Sequence, residues 1–338
     1  MPSRFTLKDV RAVLDRFSGL RVVVLGDLML DEYVFGETHR ISREAPVLIL
    51  KHERTLSLPG GGANPVSNIA SLGAQALPVG VLGRDRAGEA LRQIFKAKSI
   101  DLSGVVEEPG RVSPVKVRVL AGGHNTARQQ VIRIDHEAEG PISRASETAV
   151  LRALDERLRT AQALIISDYG NGLMTPRLLR YVNSLARRLP GLITCVDSRW
   201  QLAQYRGVSV ITPNETEAAP AASFENYQEA DLDAIGRRLL RRTRARMVLV
   251  TRGSRGMSLF RDGGREDLGV YGTDEIVDVN GAGDSVAACM TLALAAGASP
   301  SLAMRLANAA GGVAVMQRGP ASVTRAEILE LLSKQKVF

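Results

Sequence analysis

Cysteine is scarce: only Cys195 and Cys289 occur in 338 residues, each inside an apolar run and neither in a CxxC pair. A disulfide scaffold and a cysteine-based metal knuckle are therefore excluded, and both read as buried free thiols of a reducing compartment. The four histidines (His39, His52, His124, His136) are scattered without HxxxH spacing, which argues against a structural zinc site. Aromatic residues make up 4% of the chain, with a single tryptophan. A carbohydrate-binding module or a base-stacking surface would need more rings than that. No apolar run is long enough to span a bilayer, since the longest, residues 286–298, is interrupted by Thr291 and Gly297. Residues 1–20 are charged and amphipathic, without the apolar centre of a signal peptide, so a cytoplasmic location is expected. Two nucleotide-binding signatures are also missing. There is no GxxxxGK followed by Ser or Thr, and no GxGxxG follows the first apolar run, so neither a P-loop enzyme nor a Rossmann dehydrogenase is expected.

The residues that are present point elsewhere. A hydrophobic share of 45% with 24% charged residues suits a soluble α/β chain, and the length suffices for one large domain. The net charge of +8 favours anionic ligands. Its one dense basic cluster, residues 237–246 (RRLLRRTRAR), reads as the exposed face and end of a helix, so neither nucleic acid nor a membrane is expected as a partner.

Residues 21–26 (RVVVLG) form a β-branched apolar run ending at Gly26-Asp27, the mark of a buried parallel strand. Further strands are expected at 77–82, 163–167, 192–196, 208–212, 247–251, 257–260 and 268–271. Helical patterns over 64–72, 87–97, 145–158, 176–187, 215–222, 231–242, 284–296, 301–316 and 325–334 lie between or after them. This alternation predicts a mainly parallel sheet covered by helices on both faces. Short strands at 33–35 and 47–50, and an alternating hairpin at 115–120 and 129–134, do not fit that scheme. They predict a small separate β-sheet built from two insertions.

In open α/β sheets ligands gather at the carboxyl ends of the strands. Asp27, Asp31, Asp168 and Asp197 follow strand ends, as does Asn214-Glu215-Thr216-Glu217. Asn214 and Glu217 have the spacing to hold a water-wrapped Mg²⁺, and equally the spacing of an N-cap with its first-turn glutamate. Thr251-Arg252-Gly253-Ser254-Arg255-Gly256 suits a loop along nucleotide phosphates. Gly60-Gly61-Gly62-Ala63-Asn64 could bring backbone amides and the Asn64 side chain against ligand hydroxyls, or simply turn the chain into a helix. The sharpest signal is Asp278-Val279-Asn280-Gly281-Ala282-Gly283-Asp284, a glycine loop feeding a helix. Open amides and the helix dipole form an anion site there, and Asp284 could take a proton from a hydroxyl; a plain N-cap aspartate is the alternative.

Taken in order, Gly26-Asp27, the 60–64 glycines, the 214–217 box, the 251–256 loop and the 278–284 motif resemble the PfkB (ribokinase-like) sugar kinases over residues 20–330. The resemblance implies a three-layer α/β/α sandwich with a mainly parallel sheet and a small β-sheet lid, preceded by a helical extension at 1–20. The kinase domain would run over 21–338, with lid strands from 33–50 and 115–134. It also implies that Asp284 is the catalytic base and that Gly281, Ala282 and Gly283 supply an anion hole. Asn214, Glu215, Thr216 and Glu217 would belong to the ATP–Mg²⁺ site, with Asn214 and Glu217 holding the metal through water. Thr251, Gly253, Gly256 and Asn308 would line the nucleotide. Asp27, Asp31, Gly61, Gly62 and Asn64 would contact sugar hydroxyls, and Lys116, Arg118 and Arg133 would hold a substrate phosphate. A homodimer formed through the lid is implied as well, and a monovalent cation is left open. Residues 26–33 and 40–47, with Arg133-Ile134-Asp135 and Ser167-Asp168-Tyr169, are most similar to kinases of D-glycero-D-manno-heptose 7-phosphate in ADP-heptose synthesis. Many of those carry a nucleotidyltransferase domain, and this chain is expected to be a kinase alone. Departures from that pattern fall at Asn280, where Thr or Ser is usual, at Gly170-Asn171-Gly172 (Ala-Lys-Gly) and at Asp197-Ser198-Arg199 (Asp-Pro-Lys). They leave open another sugar or nucleoside as acceptor, and a non-catalytic sugar or nucleic-acid sensor remains the alternative of a different class.

Overall fold

The computed structural model describes residues 5–122, 128–272, 278–317, 319 and 322–335. The chain enters through α1 (Leu7–Asp15) and one turn of 3-10 helix, then forms β1 (Arg21–Gly26), β2 (Leu28–Ile41) and β3 (Leu48–Gly61). Next come α2 (Ala63–Ser71), β4 (Gln75–Gly83), α3 (Arg86–Ala97), β5 (Val105–Glu108), β6 (Val115–Gly122) and β7 (Gln129–His136). Regular alternation follows in α4 (Arg144–Leu158), β8 (Ala163–Asp168), α5 (Pro176–Arg188), β9 (Ile193–Ser198) and β10 (Val210–Ile211). Then come α6 (Glu215–Ala221), α7 (Leu232–Thr243), β11 (Met247–Thr251), β12 (Met257–Arg261) and β13 (Gly264–Leu268). The chain finishes with α8 (Ala282–Ala295), α9 (Pro300–Val315) and α10 (Arg325–Lys334).

Nine strands make one sheet in the order β13-β12-β11-β10-β9-β8-β1-β4-β5. From β11 to β5 every neighbouring pair is parallel, and β12 and β13 close one edge as an antiparallel hairpin. The alternation along β1 shows why these strands are apolar throughout. Val22 and Val24 join a core with α1, α2, α3, α8, α9 and α10, while Val23 and Leu25 face α4, α5, α6 and α7 on the other side. A strand buried on both faces has no polar phase in its pattern. The same logic applies to α8, buried at ten of its fourteen positions between the sheet, α2 and α9.

The second sheet has the order β3-β2-β6-β7, with β2 and β6 parallel and the other two pairs antiparallel. It is the small separate sheet expected from the sequence, and two expectations about it need correction. The strands read as 33–35 and 47–50 are halves of a hairpin whose arms each have 14 residues. Their polar outer stretches project into solvent, which conceals a strand from a hydrophobicity reading. The β7 arm is exposed along its whole length rather than alternately. The strand expected at 268–271 is instead β13 (GREDL), a charged edge strand paired to β12. Strand β5 was not anticipated. Residues 123–127, between the two arms of the hairpin expected at 115–120 and 129–134, lie outside the described residues.

Strand order reverses beside β1: the chain first builds outward through β4 and β5, then returns to place β8 on the opposite side. The carboxyl ends of β1 and β8 thus form a switch point, the place where such sheets bind ligands.

Candidate active site

Three segments converge at this switch point. Helix α8 starts at Gly281, whose φ of 78° turns the chain sharply into the helix. The turn sends the Ala282 amide back to the Val279 carbonyl at 3.4 Å, so of the expected anion-hole residues Ala282 is not an open donor. The amides of Gly283 and Asp284 find no acceptor among the described residues. They are the first-turn donors that a helix leaves for a ligand.

The Asp284 side chain is 5% exposed and accepts hydrogen bonds from Asn64 Nδ2 at 2.8 Å and from the Tyr169 hydroxyl at 3.3 Å. Burial pushes its carboxyl up to about 7, more than these two donors hold it down. A carboxyl poised there can exchange a proton near neutrality, as a general base must. Asn64 is fixed from beneath: Asn68 Nδ2 donates to its Oδ1 at 3.0 Å, and Asn68 in turn accepts from Ser285 of α8 at 3.1 Å. Helices α2 and α8 are thereby tied together directly under the carboxylate.

A cleft of about 190 Å³ opens in front of Asp284, lined by Tyr169, Asp197, Arg199, Asn214, Glu217, Thr251, Asn280, Gly281 and Gly283 among others. A parallel bridge aligns Asn214 with Thr251, bringing two expected nucleotide residues side by side. Asn214 caps α6: its Oδ1 accepts from the Glu217 amide at 2.9 Å, while Glu217 Oε2 accepts from the Asn214 amide at 3.0 Å. The N-cap reading of this box is what the structure shows, and the capped pair also lines the cleft. Burial raises Glu217, and burial followed by the charges of Glu217 and Asp284 carries Asp197 well above the usual carboxylate range. A buried carboxylate facing two others is an arrangement that suits a hydrated divalent cation. No three His, Cys, Asp or Glu side chains among the described residues lie close enough to chelate a metal directly.

Other expected site residues have local partners. Asp27 Oδ2 accepts from the Tyr169 and Asn171 amides, and burial together with Asp168 raises its carboxyl to about 6. Asp31 of β2 is paired with Arg118 of β6 at 2.8 Å within the second sheet, and Arg133 with Asp135 at 2.9 Å on exposed β7. Glu215 is held in an ion-pair cluster with Arg252 and Arg255, and Thr216 donates to Asn214 Oδ1 at 2.7 Å. Asn308 gives its amide to the Gly269 carbonyl at 2.6 Å. Gly253 has open space beside it, whereas a Cβ on Gly256 would strike the Leu268 carbonyl. Gly61 and Gly62 are required by packing, since a Cβ would meet Met29 at 2.6 Å or the Gly26 backbone at 2.9 Å.

Tyr169 and Arg199 enter the cleft without a role expected from sequence, and Asp197, noted there only as a strand-end residue, joins them. The usable signal was position, because each stands within one residue of the end of β8 or β9.

A family model described as pfkB family carbohydrate kinase matches residues 20–326. The chain belongs to this family. Members are phosphotransferases with an alcohol group as acceptor, so the chain is a sugar kinase of the pfkB type. It is 38% identical over 323 residues to the bifunctional protein HldE of Geotalea uraniireducens, covering 95% of this chain and 65% of that protein. The HldE of Hyphomonas neptunium is 39% identical over 324 residues, with the same coverage. The chain thus spans just under two thirds of the length of these curated relatives. Among solved structures it is similar in fold to Escherichia coli phosphofructokinase-2 in complex with potassium, at TM-score 0.73 and 20% identity, covering 94% of this chain and 99% of the other. Arabidopsis thaliana ribokinase complexed with ribose and ATP gives TM-score 0.71 at 20% identity, covering 93% and 98%. Among the described residues no helix is long and apolar enough to cross a membrane.

Proposed function

We propose that this pfkB kinase transfers the γ-phosphate of ATP to the anomeric hydroxyl of D-glycero-D-manno-heptose 7-phosphate. The observation that carries the transfer is Asp284, a buried carboxyl raised to about 7 beside the open amides of Gly283 and Asp284. The base takes the hydroxyl proton while those amides receive charge from the phosphoryl group. Mg²⁺, held through water near Asn214, Glu217 and Asp197, would supply charge neutralisation on the nucleotide phosphates. Asn64 and Tyr169 orient the carboxylate, and the lid sheet covers the acceptor and excludes water. The choice of a heptose 7-phosphate is supported by the likeness of residues 26–33 and 40–47 and by the HldE relatives.

An ADP-release screen across heptose 7-phosphate, hexose phosphates, ribose and adenosine tests the reading. Heptose 7-phosphate should give the highest kcat/KM. A higher value for another acceptor would replace the substrate, and no release with any acceptor would remove the kinase.

The lid is also proposed as the homodimer contact. Edge strand β7 exposes Val131, Ile132 and Ile134, and β3 exposes Leu48 and Leu56. An apolar edge left open invites pairing with another chain. Sedimentation should give a dimer for the native chain and a monomer for Ile132→Lys; a native monomer at assay concentrations would end this proposal.

A further inference from the structure

Two cations meet at the Tyr169 ring, which lines the cleft. The Arg199 guanidinium lies 4.8 Å from the centre of the Tyr169 ring, and Lys116 Nζ reaches the same ring from lid strand β6 at 5.3 Å. Among the described residues neither forms an ion pair within 4.0 Å, whereas Arg118 and Arg133 are committed to Asp31 and Asp135. Burial lowers the Lys116 ammonium and Arg199 lowers it further, against the opposing charges of Asp31 and Asp135. Two like charges at one ring cost free energy that a bound anion would recover. The ring itself is anchored to the base, since its hydroxyl donates to Asp284. Arg199 acts on the whole acidic rim as well, favouring the ionised forms of Asp197, Glu217 and Asp284.

We propose that Arg199 and Lys116 grip the phosphoryl group during its transfer, Arg199 from the nucleotide side and Lys116 from the lid, with Tyr169 setting their spacing against Asp284. The inference rests on the kinase reading above and adds which side chains carry the moving charge. In the step, the bond from γ-phosphorus to the bridging oxygen breaks and its electron pair leaves on ADP. A new P–O bond forms from the acceptor hydroxyl, whose proton passes to Asp284. The phosphoryl oxygens carry their charge throughout, and the two cations bind there by charge-assisted contacts, with the guanidinium fork suited to two oxygens at once. Because Lys116 arrives on the lid, the grip is complete only when the lid covers the site.

The device has a packing requirement. Trp200, the only tryptophan and 79% exposed, lies against Gly170, where an added Cβ would stand 2.9 Å from its Cδ1. Glycine at 170, where the similar heptose kinases tend to carry alanine, leaves room for the indole that follows Arg199. The two departures at 170 and 199 are therefore one spatial unit.

Arg199→Gln, Arg199→Lys and Lys116→Gln test the proposal in the full chain with the best acceptor of the screen. Arg199→Gln should lower kcat by about 10²-fold or more with the acceptor KM within about threefold, the loss expected when a charge-stabilising donor is removed. Arg199→Lys should recover part of it. Calorimetry supplies a readout apart from turnover. ADP alone should bind Arg199→Gln as it binds the native chain, whereas the added affinity from fluoroaluminate, which mimics the phosphoryl in flight, should vanish. A kcat within about threefold of native, or a raised acceptor KM at unchanged kcat, would overturn the proposal; the second result would assign the cations to the phosphate of the acceptor. If the native chain itself releases no ADP, the kinase reading fails first. Turnover in native and Arg199→Gln alike sinks this inference alone.

Discussion

Replacing Asn64 with alanine should move the acid limb of kcat toward alkaline pH. Asp284 titrates at about 7 because burial outweighs two hydrogen bonds that favour its ionised form. The stronger of these comes from Asn64 Nδ2 at 2.8 Å; the Tyr169 hydroxyl stands farther off, at 3.3 Å. A protonated Asp284 cannot accept the proton of the acceptor, so the native kcat should fall as pH drops through about 7. Hydrogen bonds to charged groups contribute roughly 1.5–3 kcal/mol. About 1.4 kcal/mol corresponds to one pH unit, so losing the Asn64 donor should shift the limb upward by about one to two pH units. Water entering the space left by the side chain would bring the result toward the lower end.

The assay is kcat at saturating ATP and acceptor, from about pH 5.5 to about pH 9.5, for the native chain, Asn64→Ala and Tyr169→Phe. Tyr169→Phe should move the limb in the same direction by less, in keeping with its longer bond. Asn68 loses its contact with Asn64 Oδ1 but keeps its 3.2 Å bond to the Asn64 carbonyl, so α2 should still fold, which a melting curve checks. A limb that stays in place or moves toward acid in Asn64→Ala would refute the reasoning. So would a native profile that is flat through neutrality.

The same carboxyl has a cost in stability. A folded value of about 7 against 3.8 means that folding favours the protonated form. Its contribution to stability is therefore whole below 3.8 and is lost as pH rises through about 7. That gap of about three pH units corresponds to at most on the order of 4 kcal/mol. Asp284→Asn should abolish turnover yet raise Tm, by several degrees near pH 8.5 and by less near pH 5; an equal or lower Tm at the alkaline pH would contradict the burial account. Gly62→Ala places a Cβ 2.9 Å from Gly26 backbone, which cannot move aside as a flexible side chain would. It should cost about 1–3 kcal/mol in chemical denaturation and displace Asn64. Native stability with native kcat would show that this junction has slack.

Much of this architecture can be read along the chain, because a strand buried on both faces and a helix buried all round both leave long apolar runs. Residues 21–26 and 163–167 are recognisable for that reason, and so is the α8 segment. Elements that meet solvent leave no such trace. The outer halves of β2 and β3 are polar, β13 is charged as an edge strand, and β5 is four residues of VVEE with only partial burial. The site divides in the same way. Asp284 and its glycine turn lie within one contiguous motif, whose chemistry needs only the helix start. Tyr169 and Arg199 acquire meaning only from the parallel register of β8 with β9, in which Asp168 pairs with Ser198. One step beyond that pair, the ring and the guanidinium lie together. Lys116 reaches them because β6 pairs with β2 so that Lys116 lies beside Asp31. A shift of either register would separate these groups without altering any motif. The strand-end rule therefore identifies an edge of the sheet, and strand registry decides which side chains on that edge work together.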